Sequence, residues 1–166
     1  LTQAPFNAVL NAAAFSALGT PQEEQRNAIK TAVHTFSLMK KLSVPPDMIS
    51  YGNILKAVAN LVPRGKIRSE MALQLFKTCC RDGLVSDLVW NEARRALPAE
   101  LLKSVVREKK PLSSLTSQDL PKSWKMNLPR KGRAQSKSKN RDSLAQKAKK
   151  VEQRKKEPVQ RFRRIS

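Results

Sequence analysis

LSVPPDMISYGNILKAVAN, residues 42–60, ends one helix, crosses a Pro-Pro-Asp turn and opens a second helix. Pro45 and Pro46 cannot continue the incoming helix, because proline lacks an N–H and clashes with the preceding turn. Asp47 is placed to cap the next helix by accepting orphan N–H bonds. Tyr51, Ile54, Leu55, Val58 and Leu61 then recur at i, i+3, i+4, i+7 and i+10, one apolar face of a helix.

Working outward, the chain reads as imperfect copies of this junction. A helix is predicted over about Ala4 to Leu18, with Phe6, Val9, Leu10 and Ala13 as its apolar face and Gly19 as its stop. Thr20, Pro21 and Glu23 have capping-box spacing and open a helix to about Leu42, with a buried stripe of Ile29, Ala32, Val33, Phe36 and Met39. Beyond the 42–60 stretch, Pro63 and Gly65 break the chain. A helix over about Lys66 to Arg81 follows, with Met71, Ala72, Leu75, Phe76 and Cys79 on one side. Leu88, Val89, Trp90, Ala93 and Leu97 mark a short helix, and Pro98 opens a last one.

The copies are in register. A shift of 45 lays Phe6 on Tyr51, Val9 on Ile54, Leu10 on Leu55 and Ala13 on Val58. A shift of 40 lays Ala32 on Ala72, Phe36 on Phe76, Met39 on Cys79, and SVPPD (43–47) on GLVSD (83–87). The unit is helix, turn, helix, turn, and it ends in aspartate. Such a pair cannot bury its apolar stripe alone, so it stacks on neighbours as a solenoid. The expected fold is all-α: two repeats and a degenerate third over residues 1–107, a linker over 108–129 and a disordered basic tail over 130–166.

Charge is uneven. The chain carries 33 Lys and Arg against 13 Asp and Glu, a net of +20. Residues 121–166 hold 17 of the basic and 3 of the acidic residues, a net of +14, with almost no apolar side chains after Arg130. Burial there cannot offset ordering entropy. The asymmetry points to a polyanionic partner, nucleic acid before membrane lipid. Cys79 and Cys80 are adjacent and give no disulfide framework, which fits a reducing compartment. No apolar run reaches the roughly 18 residues of a membrane span.

PFNAVLNAAAF, AVHTFSLMKKLSVPPDMISYGNILKAVANL and ALQLFKTCCRDGLVSDLVWNEA together resemble the pentatricopeptide repeat (PPR) family, over about residues 3–97. Ala32, Phe36 and Met39 match the family's second helix; Val44, Pro46 and Asp47 match its ending. Two features depart from the pattern. Both units exceed the family's usual length, which is close to the roughly 34 residues of the related tetratricopeptide unit; the extra residues fall near Gly19–Asn27 and Pro63–Lys66. The stretch after Leu112 has no counterpart.

The resemblance implies the C-terminal part of a longer protein that binds single-stranded RNA, about one base per repeat, read by two or three side chains. By position it implies Asn7 with Asp47 as the base readers of the first repeat, a combination associated with uridine, and Gly52 with Asp87 in the second. Glycine has no side chain to read with, so base choice there is expected to be weak. Ala4 and Ile49 match the positions that sandwich bases. Arg130, Lys131, Arg133, Lys137, Lys139 and Arg141 are expected to hold RNA phosphates without sequence preference. The implied setting is RNA processing, stability or translation in a mitochondrion or plastid, with nucleus or cytoplasm as the alternative. Rival classes are a protein-interaction scaffold and a ribosome-associated protein whose tail holds ribosomal RNA.

Plainer roles stand beside these. Asp47 and Asp87 suit helix caps. Phe6, Tyr51, Phe36 and Phe76 read as core. Cys79 and Cys80 read as small core residues, and Trp124 as a lid packed over the last helix. The single histidine, His34, has no partner in the pattern, and no phosphate loop or metal-ligand spacing is present. No catalytic residue, cofactor, metal or small-molecule substrate is expected.

Overall fold

The helix over Met48–Leu61 is apolar nearly all round, and ten of its fourteen residues are buried. Such a helix belongs at the centre of a packed stack. The computed structural model describes residues 2–16, 20–106 and 110–129 and places it there. In chain order the helices are α1 (Gln3–Phe15), α2 (Gln22–Lys41), α3 (Met48–Leu61), α4 (Lys66–Arg81), α5 (Asp87–Ala96) and α6 (Ala99–Val106). No strand occurs among the described residues, and no helix among them is long and apolar enough to cross a membrane.

The architecture is a stack of helical hairpins. α1, α3 and α5 lie side by side as one layer, with α3 packed on both neighbours. α2 backs α1 and α3, and α4 backs α3 and α5. Within the second layer α2 and α4 hardly touch each other. Tyr51, Ile54, Leu55 and Val58 form the centre of the core, joined by Leu10, Phe36, Met39, Phe76, Val89 and Trp90. The Phe36 and Tyr51 rings meet edge to face at 5.3 Å.

The repeat is visible in backbone hydrogen bonds. At the end of α2, Leu42 N–H donates to Leu38 O, Ser43 N–H to Lys40 O and Val44 N–H to Met39 O. At the end of α4 the same three bonds recur 40 residues on: Asp82 to Thr78, Gly83 to Cys80 and Leu84 to Cys79. Each turn has one residue in the left-handed region, Ser43 at φ 55° and Gly83 at φ 68°. This is the way a helix closes its last carbonyls on a left-handed residue.

Several local expectations need correction. Val9 and Val33 are exposed, although their spacing predicts buried faces. α1 has a neighbour in its layer on one side only, whereas Ile54, the counterpart of Val9, has neighbours on both. Val33 faces the opening where α2 and α4 part. Thr20 does not cap α2: its hydroxyl donates back to Ser16 O, and Pro21 is the residue at the helix start. α1 ends at Phe15 with Ser16 as its cap, short of Leu18, and residues 17–19 lie outside the described residues.

The largest difference concerns the expected linker. Residues 111–128 fold onto the helices as three 3-10 turns, Leu112–Ser114, Ser117–Asp119 and Lys122–Lys125. Leu115 and Leu120 are buried. The Trp90 indole N–H donates to Leu115 O at 3.2 Å. Trp124 meets Phe76 edge to face at 5.8 Å, so it covers α4 and not the last helix. Scattered prolines and irregular leucine spacing give no helical or strand period there; the segment is held by aromatic and backbone contacts that only the folded hairpins present. The expected tail, residues 130–166, lies outside the described residues.

Candidate functional site

Asn7 and Asp47 are 40 residues apart in sequence and hydrogen-bonded in the structure. Asp47 stands at the start of α3 because Pro45 and Pro46 hold the chain extended before it. Its carboxylate accepts from Ile49 N–H at 3.0 Å and Ser50 N–H at 2.8 Å. Its own N–H donates to Ser50 Oγ at 3.2 Å, completing a reciprocal cap. Asn7, one turn into α1, lies alongside because α1 and α3 pack as neighbours.

The Asn7 Nδ2 donates to the carboxylate at 3.2 and 3.3 Å. Ser50 has one hydroxyl proton, and its shortest contact is to Asn7 Oδ1, at 2.6 Å. That bond sets the amide: its oxygen faces Ser50 and its nitrogen faces Asp47. Asn53 Nδ2 adds a bond to Asn7 O at 3.2 Å. Both Nδ2 contacts run to the two oxygens of one carboxylate, an arrangement that a single forked proton satisfies and that leaves the second amide proton for a ligand. Asp47 Oδ2 accepts only the long bond from Asn7, so its remaining lone pairs are open. The half-buried pair thus presents a donor beside an acceptor, the pattern that pairs with an amide or imide edge. Ala4 and Ile49 are exposed in the first turns of α1 and α3.

The second pair is not brought together in this way. Gly52 is buried against α5, where an added Cβ would stand 2.4 Å from Leu88 Cδ2. It is a close-approach position, and no side chain from it reaches solvent. The cap expected of Asp87 belongs to Ser86, whose hydroxyl accepts from Val89 N–H at 3.3 Å. The Asp87 carboxylate instead accepts from the hydroxyl of Ser117 in the C-terminal segment. Arg130, Lys131, Arg133, Lys137, Lys139 and Arg141 lie outside the described residues.

His34 is exposed on α2, away from both pairs in sequence and helix. Cys79 and Cys80 are buried, and burial pushes both thiols up, Cys80 to about 12. Among the described residues no group of His, Cys, Asp and Glu is arranged to hold a metal ion. Sequence reasoning misses Ser50. Its spacing three residues after Asp47 is a usable cap signal, but its bond to Asn7 depends on α1 lying against α3.

Comparison with known proteins gives no matching family model, no matching curated protein and no matching solved structure.

Proposed function

We propose that the chain binds single-stranded RNA, with Asn7 and Asp47 reading one base and the basic C-terminal residues engaging phosphates. The observation that carries this reading is the Asn7–Asp47 pair. Two residues expected to act together are hydrogen-bonded side by side, and their outer donor and acceptor are unsatisfied. A uracil edge offers an imide N–H to Asp47 Oδ2 and a carbonyl oxygen to Asn7 Nδ2. Ala4 and Ile49 supply apolar surface for the base faces. The +14 carried by residues 121–166 supplies affinity through counterion release. The resemblance to PPR proteins supports a role in organellar RNA processing, stability or translation, without an enzymatic step.

Filter binding of the full chain to oligo-U and oligo-A across salt concentrations tests this. The expected result is a steep fall of affinity with salt and a preference for oligo-U. Asn7→Ala is expected to remove about 1 kcal/mol of that preference, roughly fivefold, with a small effect on oligo-A. Salt-independent or absent binding overturns the reading.

A protein-scaffold role has one observation of its own. Where α2 and α4 part, Ile29, Val33, Ile67 and Met71 line an open apolar groove floored by Leu61 and Val62. Recovery of a stoichiometric protein partner after nuclease treatment, with the groove as its contact, favours that role over RNA binding.

A further inference from the structure

At the end of α3 away from Asp47, four arginines converge. The α3–α4 connection brings Arg64, the first turn of α4 brings Arg68, and the end of α5 brings Arg94 and Arg95. With Gly65, Ser69 and Ala96–Pro98 they line a cavity of about 350 Å³. The fourteen residues of α3 put this cavity about 20 Å from the Asn7–Asp47 pair.

The four guanidinium groups are not equally satisfied. Arg95 donates to Glu92 Oε2 at 2.6 Å and to Asn60 Oδ1 at 2.7 Å. Arg94 lies over the Trp90 ring, 6.0 Å from its centroid. Arg64 and Arg94 have no carboxylate partner among the described residues. Arg68 is 9% exposed and donates one bond, to Arg95 O at 2.6 Å. Its Nε is the one buried side-chain nitrogen or oxygen among the described residues with no hydrogen-bond partner. A buried guanidinium normally has its donors matched, because leaving a charged donor unmet is costly. Burial holds the Arg68 guanidinium below its usual range, and the charges of Arg64 and Arg95 add to this.

The backbone contributes as well. Gly65, at φ 152°, sits in a region that side chains rarely adopt, and a Cβ added there would meet no other residue within 4 Å. It starts the sixteen-residue α4 with no side-chain cap, and Gly65, Arg68 and Ser69 of that helix start line the cavity. A helix start of this kind favours an anion.

We propose that this cavity is a binding site for a phosphate group, held by Arg64, Arg68 and Arg94 at the start of α4. A phosphate has enough oxygens to meet several forked guanidinium groups and helix amides at once. A carboxylate, with two oxygens, is satisfied by one arginine. The phosphate is taken to be that of an RNA backbone, and this assignment of source rests on the function proposed above; the site itself rests on the arginines alone.

The test uses the full chain, titrated calorimetrically with inorganic phosphate at constant ionic strength and, separately, with short oligo-U. The variant is Arg64→Ala with Arg94→Ala, two exposed side chains whose loss spares the buried Arg68. The control removes equal charge elsewhere, at Lys30→Ala with Lys77→Ala. Saturable phosphate binding that falls at least tenfold in the arginine variant and is unchanged in the control supports the site. Absent phosphate binding, an equal fall in the control, or equal binding of acetate overturns it. A lower affinity for oligo-U with a salt slope reduced by about 1 assigns the phosphate to RNA. An unchanged oligo-U affinity overturns that source while phosphate binding still upholds the site. If oligo-U does not bind the parent chain, the proposed function falls and the phosphate titration alone judges the cavity.

Discussion

The turns at 42–47 and 82–87 have the same backbone and opposite surroundings. Both close a helix through the same three hydrogen bonds and one left-handed residue. The first is bordered only by α1: Ser43 and Pro45 are exposed, Gln3 Nε2 donates to Pro45 O at 3.3 Å, and the Asp47 carboxylate accepts from Asn7 and from Ser50 N–H. The second is clasped by the C-terminal segment. Val85 N–H donates to Trp124 O at 2.8 Å, Asn127 N–H to Gly83 O at 3.0 Å, and Asn127 Nδ2 to Asp82 O at 2.9 Å. Asp87 is taken up by Ser117. A repeat therefore does not guarantee a repeated site. The same turn keeps an exposed polar edge where only the start of α1 lies against it, and becomes an anchoring point where the chain folds back.

Removing the clasp is the strongest way to break this contrast. Trp124→Ala deletes a half-buried ring set on Phe76, and the expected cost is about 3 kcal/mol in urea denaturation. Hydrogen exchange is expected to speed up at residues 82–87 and to stay unchanged at 42–47. Equal acceleration at both turns denies the clasp a local role.

The two aspartates sharpen it next. Asp47→Ala removes a cap and the acceptor for Asn7, with an expected loss of about 2 kcal/mol. Asp87→Ala leaves the Ser86 cap in place and is expected to cost less than about 1 kcal/mol. Chemical denaturation of the two variants checks the order.

A smaller effect of opposite sign separates the turns again. Ser43 holds a left-handed conformation that costs a side chain about 1 kcal/mol, so Ser43→Gly is expected to stabilise by about that amount. Gly83→Ala is expected to destabilise, because its Cβ would stand 2.7 Å from Met126 Cγ as well as being strained.

A separate test is alkaline. Tyr51 donates its phenol proton to Asp82 of the second turn. Burial, and then that hydrogen bond, raise the Tyr51 hydroxyl, and burial raises Cys79 and Cys80. All three stay neutral in the fold while their unfolded counterparts ionise from about pH 9. Their stabilisation is therefore complete below pH 9 and is lost as pH rises toward the folded values. The melting temperature is expected to hold to pH 9 and then fall. A flat profile to pH 11 shows that these groups are open to solvent.

Much of the helical order is legible in the amino-acid sequence. The period of Tyr51, Ile54, Leu55 and Val58 sets α3, and the shifts of 45 and 40 set the repeat, because both depend on local spacing along one helix face. The α4 bounds agree with the reading from Lys66 to Arg81. Asp47 is legible as a cap because a cap is decided within four residues. Val9 and Val33 are misplaced by their period, because the number of neighbours on each side of a helix is not written in it.

The sequence by itself determined which segments are helical, where the repeat closes and how unevenly the charge is spread, since these follow from spacing and composition. Only the tertiary structure decided that Asn7 meets Asp47 and Ser50, that Gly52 is filled by Leu88, and that residues 111–128 seal the second turn. It alone gathered Arg64, Arg68, Arg94 and Arg95 around one cavity. Each of these joins residues far apart in the chain, and such contacts form only when helices from different hairpins are laid side by side.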